Sequence, residues 1–243
     1  MNADGERILA GLTAVRLERE RRAGQPELGR AVLAIKAYQH ARFAHTYADL
    51  MATPRYAQAA EFFLNDLYGP ADFTDRDAQF ARIVPALVRL FPRDIVATVS
   101  ELAQLHAISE GLDSRMGAAW LGLGAPGAFL QGADYGSLWR TVGGVDERER
   151  QIALMASVGA ALDRYTRSPL LRQSLRLMRG PAAAAGLGAL QRFLENGFDT
   201  FRNMKGAGYF LETVAARERS LASGLFGGGD APDVAVASAG GAA

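Results

Sequence analysis

The sequence has no cysteine, and lysine occurs only at Lys36 and Lys205 among its 243 residues. Without cysteine the protein cannot have disulfides, a zinc–thiolate site, an iron–sulfur cluster or a cysteine nucleophile. The 27 basic residues are almost balanced by 26 acidic ones, which leaves a net charge of +1. So small a charge does not indicate a polyanionic partner, and we do not expect nucleic-acid binding.

Long hydrophobic runs are also missing. No uninterrupted apolar stretch of about 18 residues could span a bilayer, and the segment Met1–Arg7 lacks the features of a secretory signal. We therefore expect a cytoplasmic protein without a membrane partner. Hydrophobic residues make up 49% of the chain, which is enough for one large domain with a buried core.

Helical periodicity is present almost throughout, since apolar residues recur at spacings of three and four, and alternating strand-like runs are lacking. The sequence predicts an all-α protein, a single irregular multi-helix bundle over residues 1–226. The bundle divides into possible halves, 1–116 and 146–226, joined by a glycine-rich connector over residues 117–145. The tail, residues 227–243, is rich in Gly, Ala and Ser and is predicted to be disordered.

The segment Phe62–Phe73 reads FFLNDLYGPADF. It is similar to an FFLxDLYGPxDF-type motif in a family of uncharacterised bacterial all-helical proteins. The likeness includes Thr46–Leu50 and Arg76–Asp77 and extends through Leu190–Phe198 to Arg217–Glu218, so it covers most of the chain. This resemblance implies a single all-helical unit. It implies no activity, cofactor or catalytic residue.

His106 lies on the apolar face of its predicted helix, and the same face continues through Glu110 and Asp113. Helical bundles use an imidazole and a carboxylate one turn apart for metal ligands and for His–carboxylate pairs. The sequence therefore predicts a polar seam that faces the core. One hypothesis is a metal site formed by His106, Glu110 and Asp113. A less favoured version of this hypothesis is a haem-binding protein in which His106 binds the haem.

The same three residues have a purely structural interpretation, because buried charges are normally paired. Arginines such as Arg42, Arg55 and Arg82 would then neutralise the carboxylates, and a neighbouring carbonyl oxygen would bind the imidazole. A concave pocket on which imidazole and carboxylates converge would distinguish a site from simple pairing.

Aromatic side chains are dense at the predicted helix end that carries Phe62 and Tyr68. Amphipathic aromatic residues are typical of interfaces, so these two form the candidate interaction surface, with core packing as the alternative. The first hypothesis for function is a non-catalytic helical protein that binds another protein or forms a homo-oligomer. The alternative is a metal-binding enzyme that uses the polar seam. The sequence leaves the cofactor, and the question of enzymatic activity, open.

Overall fold

The structure is a computed structural model, and it describes residues 3–67, 73–124 and 130–236. Within these ranges the chain forms twelve α-helices and no strand, which confirms the predicted all-α bundle. A π-helical turn, Phe63–Leu67, follows directly on the fourth helix. The helices are α1 Ala3–Ala23, α2 Pro26–Thr46, α3 Ala48–Ala52, α4 Ala57–Phe62, α5 Thr74–Leu90, α6 Arg93–Gly122, α7 Gly132–Val142, α8 Val145–Tyr165, α9 Pro169–Leu177, α10 Arg179–Ala184, α11 Gly188–Asn203 and α12 Gly208–Phe226.

The 30-residue helix α6 is the central element, and it packs against α1, α2, α7 and α8. Two close approaches depend on glycine. A Cβ atom on Gly11 of α1 would lie 2.8 Å from the carbonyl oxygen of Ala103, and one on Gly117 of α6 would lie 2.6 Å from Cγ2 of Val32 in α2. Because these glycines lack a side chain, α1 and α2 can both lie directly on α6. This packing places polar residues of α1 and α2 against the polar face of α6.

Three clusters of buried side chains form the core. The largest joins α2 and the α3–α4 region to α8, α11 and α12, and it includes Tyr47, Phe63 and Phe210. Both predicted halves of the chain contribute to it. No helix in the described ranges is both long enough and apolar enough to cross a bilayer.

The glycine-rich segment over residues 117–145 contains more helix than its composition indicated. Helix α6 continues to Gly122, and α7 follows as a regular helix that begins with a capping box between Gln131 and Asp134. Trp120 and Trp139 are 3% and 5% exposed, so this segment is part of the core. Its glycines mark close packing as well as chain breaks. Residues 125–129 lie outside the described part of the chain.

Residues 227–236, which we call the tail segment, have no helix and lie against α7. The backbone N–H of Gly132 donates to Asp233 Oδ1 at 2.8 Å, and Tyr38 donates its hydroxyl proton to the carbonyl oxygen of Pro232 at 2.7 Å. Ala231 is 5% exposed. These contacts tie part of the predicted tail to α2 and α7, and the amino-acid composition of the tail carries no information about them. Residues 237–243 lie outside the described part.

Candidate functional site

The polar face predicted on α6 does face the interior. Glu110 and Asp113 are 4% and 8% exposed, and the side chain of His106 is 19% exposed. Helices α1, α2 and α5 supply the groups that bind these residues. The prediction of a polar seam at the core is therefore confirmed for the two carboxylates, while His106 lies at the partly buried end of the seam.

His106 binds a carboxylate that the sequence did not indicate as its partner. Its Nε2 lies 2.7 Å from Oδ2 of Asp77 in α5. The same oxygen lies 2.9 Å from Nη2 of Arg19, and Nε of Arg76 donates to the other carboxylate oxygen at 3.2 Å. Burial alone would raise the pKa of Asp77, but the hydrogen bond from His106 and the charges of both arginines outweigh it and lower the pKa. Because an ionised carboxylate only accepts hydrogen bonds, His106 donates from Nε2.

Glu110 is held between two cations. Its Oε1 accepts a hydrogen bond of 2.7 Å from Nζ of Lys36, and its Oε2 binds the guanidinium of Arg22. Arg22 also donates to Oγ of Ser114 at 3.2 Å. Burial raises the pKa of Glu110, but Lys36 and Arg22 together lower it to about 2. Glu110 is thus a buried and fully ionised carboxylate.

Asp113 lies one turn further along α6 and has a different environment. Its Oδ1 accepts a hydrogen bond of 3.0 Å from Gln39, whereas Nζ of Lys36 is 3.8 Å from its Oδ2. Burial is the main cause that raises the pKa of Asp113, and the charge of Glu110 adds to it. Two neighbouring carboxyl groups therefore have pKa values shifted in opposite directions, because Glu110 binds both Lys36 and Arg22, whereas Lys36 is 3.8 Å from Asp113. Such a divergence is typical of functional sites.

The metal site predicted from His106, Glu110 and Asp113 lacks the convergent geometry that it needs. Glu110 and Asp113 face Lys36, while His106 faces Asp77. Among the described residues, no three His, Asp or Glu side chains are grouped so that they could hold a metal ion.

Pairing by basic residues fits this geometry better, although the basic residues differ from those proposed from the sequence. The seam is neutralised by Arg19, Arg22 and Lys36. The three arginines named in the sequence interpretation bind elsewhere, namely Arg42 to Glu218, Arg55 to backbone oxygens of residues 204–206, and Arg82 to the carbonyl oxygen of Ala185.

Of the predicted interaction surface, Phe62 is buried. It is 6% exposed, and its ring stacks on Phe193 with centroids 5.7 Å apart. Gly197 of α11 makes room for it, since a Cβ atom there would lie 3.2 Å from Phe62 Cζ. Phe62 therefore belongs to the core and offers no exposed contact. Tyr68 lies outside the described residues.

A cavity lies at each end of the α6 seam. At the His106 end, a cavity of about 140 Å³ is enclosed mainly by aliphatic and aromatic side chains of α5, α6 and α11, among them Phe80, Val99 and Phe193. Asp77 and His106 form its polar edge. We call this space the apolar cavity.

At the Asp113 end, a second cavity of about 70 Å³ is lined largely by polar side chains, of which Arg42, Asp113 and Arg148 are buried. We call it the polar cavity. Ser109 and Met155 line both cavities, so the two spaces are neighbours on the same face of α6. The polar residues that line the second cavity are Gln39, Arg42, Ser109, Asp113, Tyr135, Trp139, Arg148, Gln151 and Glu218.

Arg148 is the exceptional residue of the polar cavity. It is 4% exposed, and its guanidinium lies 4.1 Å from the centre of the Trp139 ring and donates to Sδ of Met116 at 3.1 Å. Within the described part of the chain it makes no ion pair. Burial lowers its pKa. A buried guanidinium without a carboxylate is energetically unfavourable unless another group compensates its charge.

Three donors around this cavity have no acceptor. Nε of Arg148, Nε1 of Trp139 and Nε of Arg42 are buried, and each lacks a hydrogen-bond partner among the described residues. Arg42 itself is paired with Glu218 through its other nitrogens at 2.7 and 3.2 Å. Among the described residues that line the cavity, the unpaired buried polar atoms are thus all donors, which suits an oxygen-bearing anion.

Sequence reasoning missed Arg148, although a signal for it exists. Arg148 shares one face of α8 with Ile152, Met155 and Gly159, all of which are buried. A charged residue on an apolar helical face is the same signal that identified His106.

No curated protein and no solved structure matches the chain. The profile of one protein family matches residues 18–232, a range that contains the whole α6 seam, the polar cavity and all of the apolar cavity except Leu12. The match also covers most of the chain, as the sequence resemblance implied. The chain therefore belongs to the family described as domain of unknown function DUF8198.

Proposed function

We propose that the protein is a non-catalytic binding protein whose ligand is a small organic acid with an apolar body, held along α6. The observation that carries this proposal is the buried and unpaired guanidinium of Arg148 at the wall of a cavity. A ligand carboxylate in the polar cavity would supply both the missing negative charge and the missing acceptors.

The neighbours of Arg148 support a carboxylate in preference to a neutral group. Trp139 offers a second unpaired N–H donor on the same cavity. Asp113 is the acidic group of α6 at this cavity, and burial raises its pKa, which weakens the repulsion that an ionised Asp113 would exert on a bound anion. Arg148 then remains the buried cation of this cavity that makes no ion pair among the described residues, since Arg42 is paired with Glu218.

The apolar cavity supports an apolar ligand body of limited size. Its volume of about 140 Å³ is close to that of an engineered protein cavity of roughly 150 Å³ that holds benzene. Met155 stands between the two cavities, and its flexible side chain can adjust to a ligand that extends from one to the other. A single ring or a short alkyl chain that carries one carboxylate fits this arrangement.

The test is a comparison of benzoate with benzamide, which has the same ring but no charge, by thermal unfolding and isothermal titration calorimetry. Benzoate is expected to bind and to raise the melting temperature. At a benzoate concentration one hundred times Kd, the unfolding free energy should increase by about 2.7 kcal/mol. Benzamide is expected to have little effect. Equal responses to the two compounds would contradict a carboxylate site.

Three variants locate the binding. Arg148→Met should abolish the benzoate response, whereas Arg150→Met, an exposed neighbour on α8 that binds Gln104, should retain it. Val99→Phe should weaken binding by filling the apolar cavity. If the Arg148 variant binds benzoate as well as the parent protein does, the proposal is wrong.

A further inference from the structure

One part of the chain has an excess of basic over acidic residues. Residues 163–206 contain eight Arg and Lys against three Asp and Glu, although the net charge of the whole chain is only +1. The rest of the chain is therefore net acidic. This segment comprises the end of α8, all of α9, α10 and α11, and the turn that follows.

The charges line an open groove of about 840 Å³ between the end of α8, α9 and the end of α11. Five cations and one acidic residue border it, namely Arg167, Arg172, Arg176, Arg202, Lys205 and Asp163. Within the described chain, Arg176, Arg202 and Lys205 make no ion pair. The groove therefore presents uncompensated positive charge to the outside.

Helix α9 also carries exposed apolar side chains, on a different face from Arg172 and Arg176, which line the groove. None of its residues is buried, and Leu170 and Leu177 are 71% and 70% exposed. The two leucines are seven residues apart, which places them on the same side of the helix at a separation of about 10 Å. Met178, directly after α9, is 51% exposed. Both leucines can thus enter one flat apolar layer at the same time.

We infer that α9 and the basic groove beside it bind the surface of a bilayer that contains anionic phospholipids. The leucines enter the boundary between headgroups and acyl chains, and the arginines and Lys205 bind lipid phosphates. An amphipathic helix with exposed leucines on one face and basic residues on another is typical of such surface binding. The helix lies on the membrane and does not cross it.

Two other partners fit this surface less well. Single-stranded nucleic acid usually stacks on exposed aromatic rings, but Phe201, the aromatic residue at the groove, is 1% exposed. Nucleic acid would also leave the leucines without a role. A protein partner usually places an anchor side chain in a shaped pocket, whereas Leu170 and Leu177 project from a convex helix. A bilayer accounts for both the charge and the leucines.

The test is co-sedimentation of the full chain with vesicles of phosphatidylcholine, with and without phosphatidylglycerol. The protein should sediment only with the anionic vesicles, and less as the salt concentration rises. The double variant Leu170→Ser/Leu177→Ser should lower the partition coefficient by roughly tenfold or more. The matched control Leu33→Ser/Leu90→Ser, at positions 55% and 68% exposed on other helices, should leave it unchanged.

A second pair of variants separates local charge from net charge. Arg176→Gln/Arg202→Gln should lower the partition coefficient roughly fivefold for each charge removed. Arg16→Gln/Arg30→Gln changes the net charge equally on α1 and α2 and should have little effect. Circular dichroism and thermal unfolding of each variant serve as the control for correct folding.

Three outcomes would overturn the inference. They are equal sedimentation with neutral vesicles, full binding by the double leucine variant, and binding to a short DNA that requires the arginines but not the leucines. The last outcome would assign the groove to nucleic acid. Because the test uses no small carboxylate, its failure and the failure of the organic-acid proposal are independent.

Discussion

The guanidinium of Arg148 lies 4.1 Å from the centre of the Trp139 ring, and within the described chain it makes no ion pair with a carboxylate. Without ligand, the charge therefore destabilises the fold. Arg148→Met should increase the unfolding free energy at pH 7 by about 1 kcal/mol, because the stacking energy that is lost is smaller than the cost of the buried charge. Urea unfolding measures this difference.

Arg42→Met is the matched control for that substitution. Arg42 is similarly buried but is paired with Glu218, so its removal leaves a partly buried carboxylate without its cation. We expect a loss of about 3 kcal/mol. If both variants were destabilised to the same degree, Arg148 would have a compensating partner after all.

Glu110→Gln should lower the unfolding free energy by about 3 kcal/mol at pH 7, since Lys36 and Arg22 would lose their shared carboxylate. The pKa of Glu110 is about 2, below its ordinary value of 4.5. Its stabilisation is therefore complete above pH 4.5 and is lost as the pH falls towards 2. The difference between parent and variant, followed by urea unfolding, should shrink over that range.

Asp113→Asn, one turn away, should behave in the opposite way. Because the pKa of Asp113 is raised, its contribution to stability is complete below its ordinary pKa and is lost as the pH rises through the raised value. The variant retains an oxygen that can accept from Gln39. The stability of the variant relative to the parent protein should therefore rise as the pH increases, and a relative stability that falls with rising pH would mean that Asp113 is stabilised in its ionised form.

Asp77→Asn should lower the unfolding free energy by about 2–3 kcal/mol at pH 7, because Arg19 and Arg76 would lose the carboxylate between them. The pKa of Asp77 is lowered, so this stabilisation is present above its ordinary pKa and disappears in more acidic solution. Asp75→Asn, at an exposed position on the same helix, is the control and should change stability little.

Gly111 and Gly117 lie on the same helix, α6, and alanine should have opposite effects at the two positions. At Gly111 nothing lies within 4 Å of an added Cβ atom, so Gly111→Ala should stabilise the protein by about 1 kcal/mol. At Gly117 the Cβ atom would lie 2.6 Å from Cγ2 of Val32, and Gly117→Ala should cost about 1–3 kcal/mol.

Val32→Ala tests the cause of the loss at Gly117. It should recover part of that loss in the double variant, because the methyl group that clashes is removed while the backbone nitrogen of Val32, at 3.2 Å, remains. Strict additivity of the two substitutions in thermal unfolding would show that α2 does not rest on Gly117.

The orientation of the α6 seam could be predicted from the sequence, because helical periodicity alone places Glu110 and Asp113 on the buried face. Their partners could not be predicted. Which basic residue meets Glu110 depends on how far α1 and α2 slide along α6, and that register is set by the close contacts at Gly11 and Gly117. Periodicity describes one helix at a time and carries no information about register between helices.

The position of Phe62 illustrates a second limit. A cluster of aromatic residues at a helix end is compatible with either a surface or a core, and Gly197, which makes room for the ring, is 135 positions away in the sequence. Arg148 is a different case, since its place on the apolar face of α8 was visible in the sequence. The periodicity argument applied to His106 would have found it.

The contacts of the tail segment bear on how this protein can be shortened. The family match ends at residue 232, but Asp233 accepts the backbone N–H that begins α7. The match starts at residue 18, although Ile8 and Val15 of α1 are 0% and 1% exposed. A chain trimmed to the matched region would uncover apolar surface at both ends and tend to aggregate. The smallest independently folding unit is therefore longer than the region by which its family is defined.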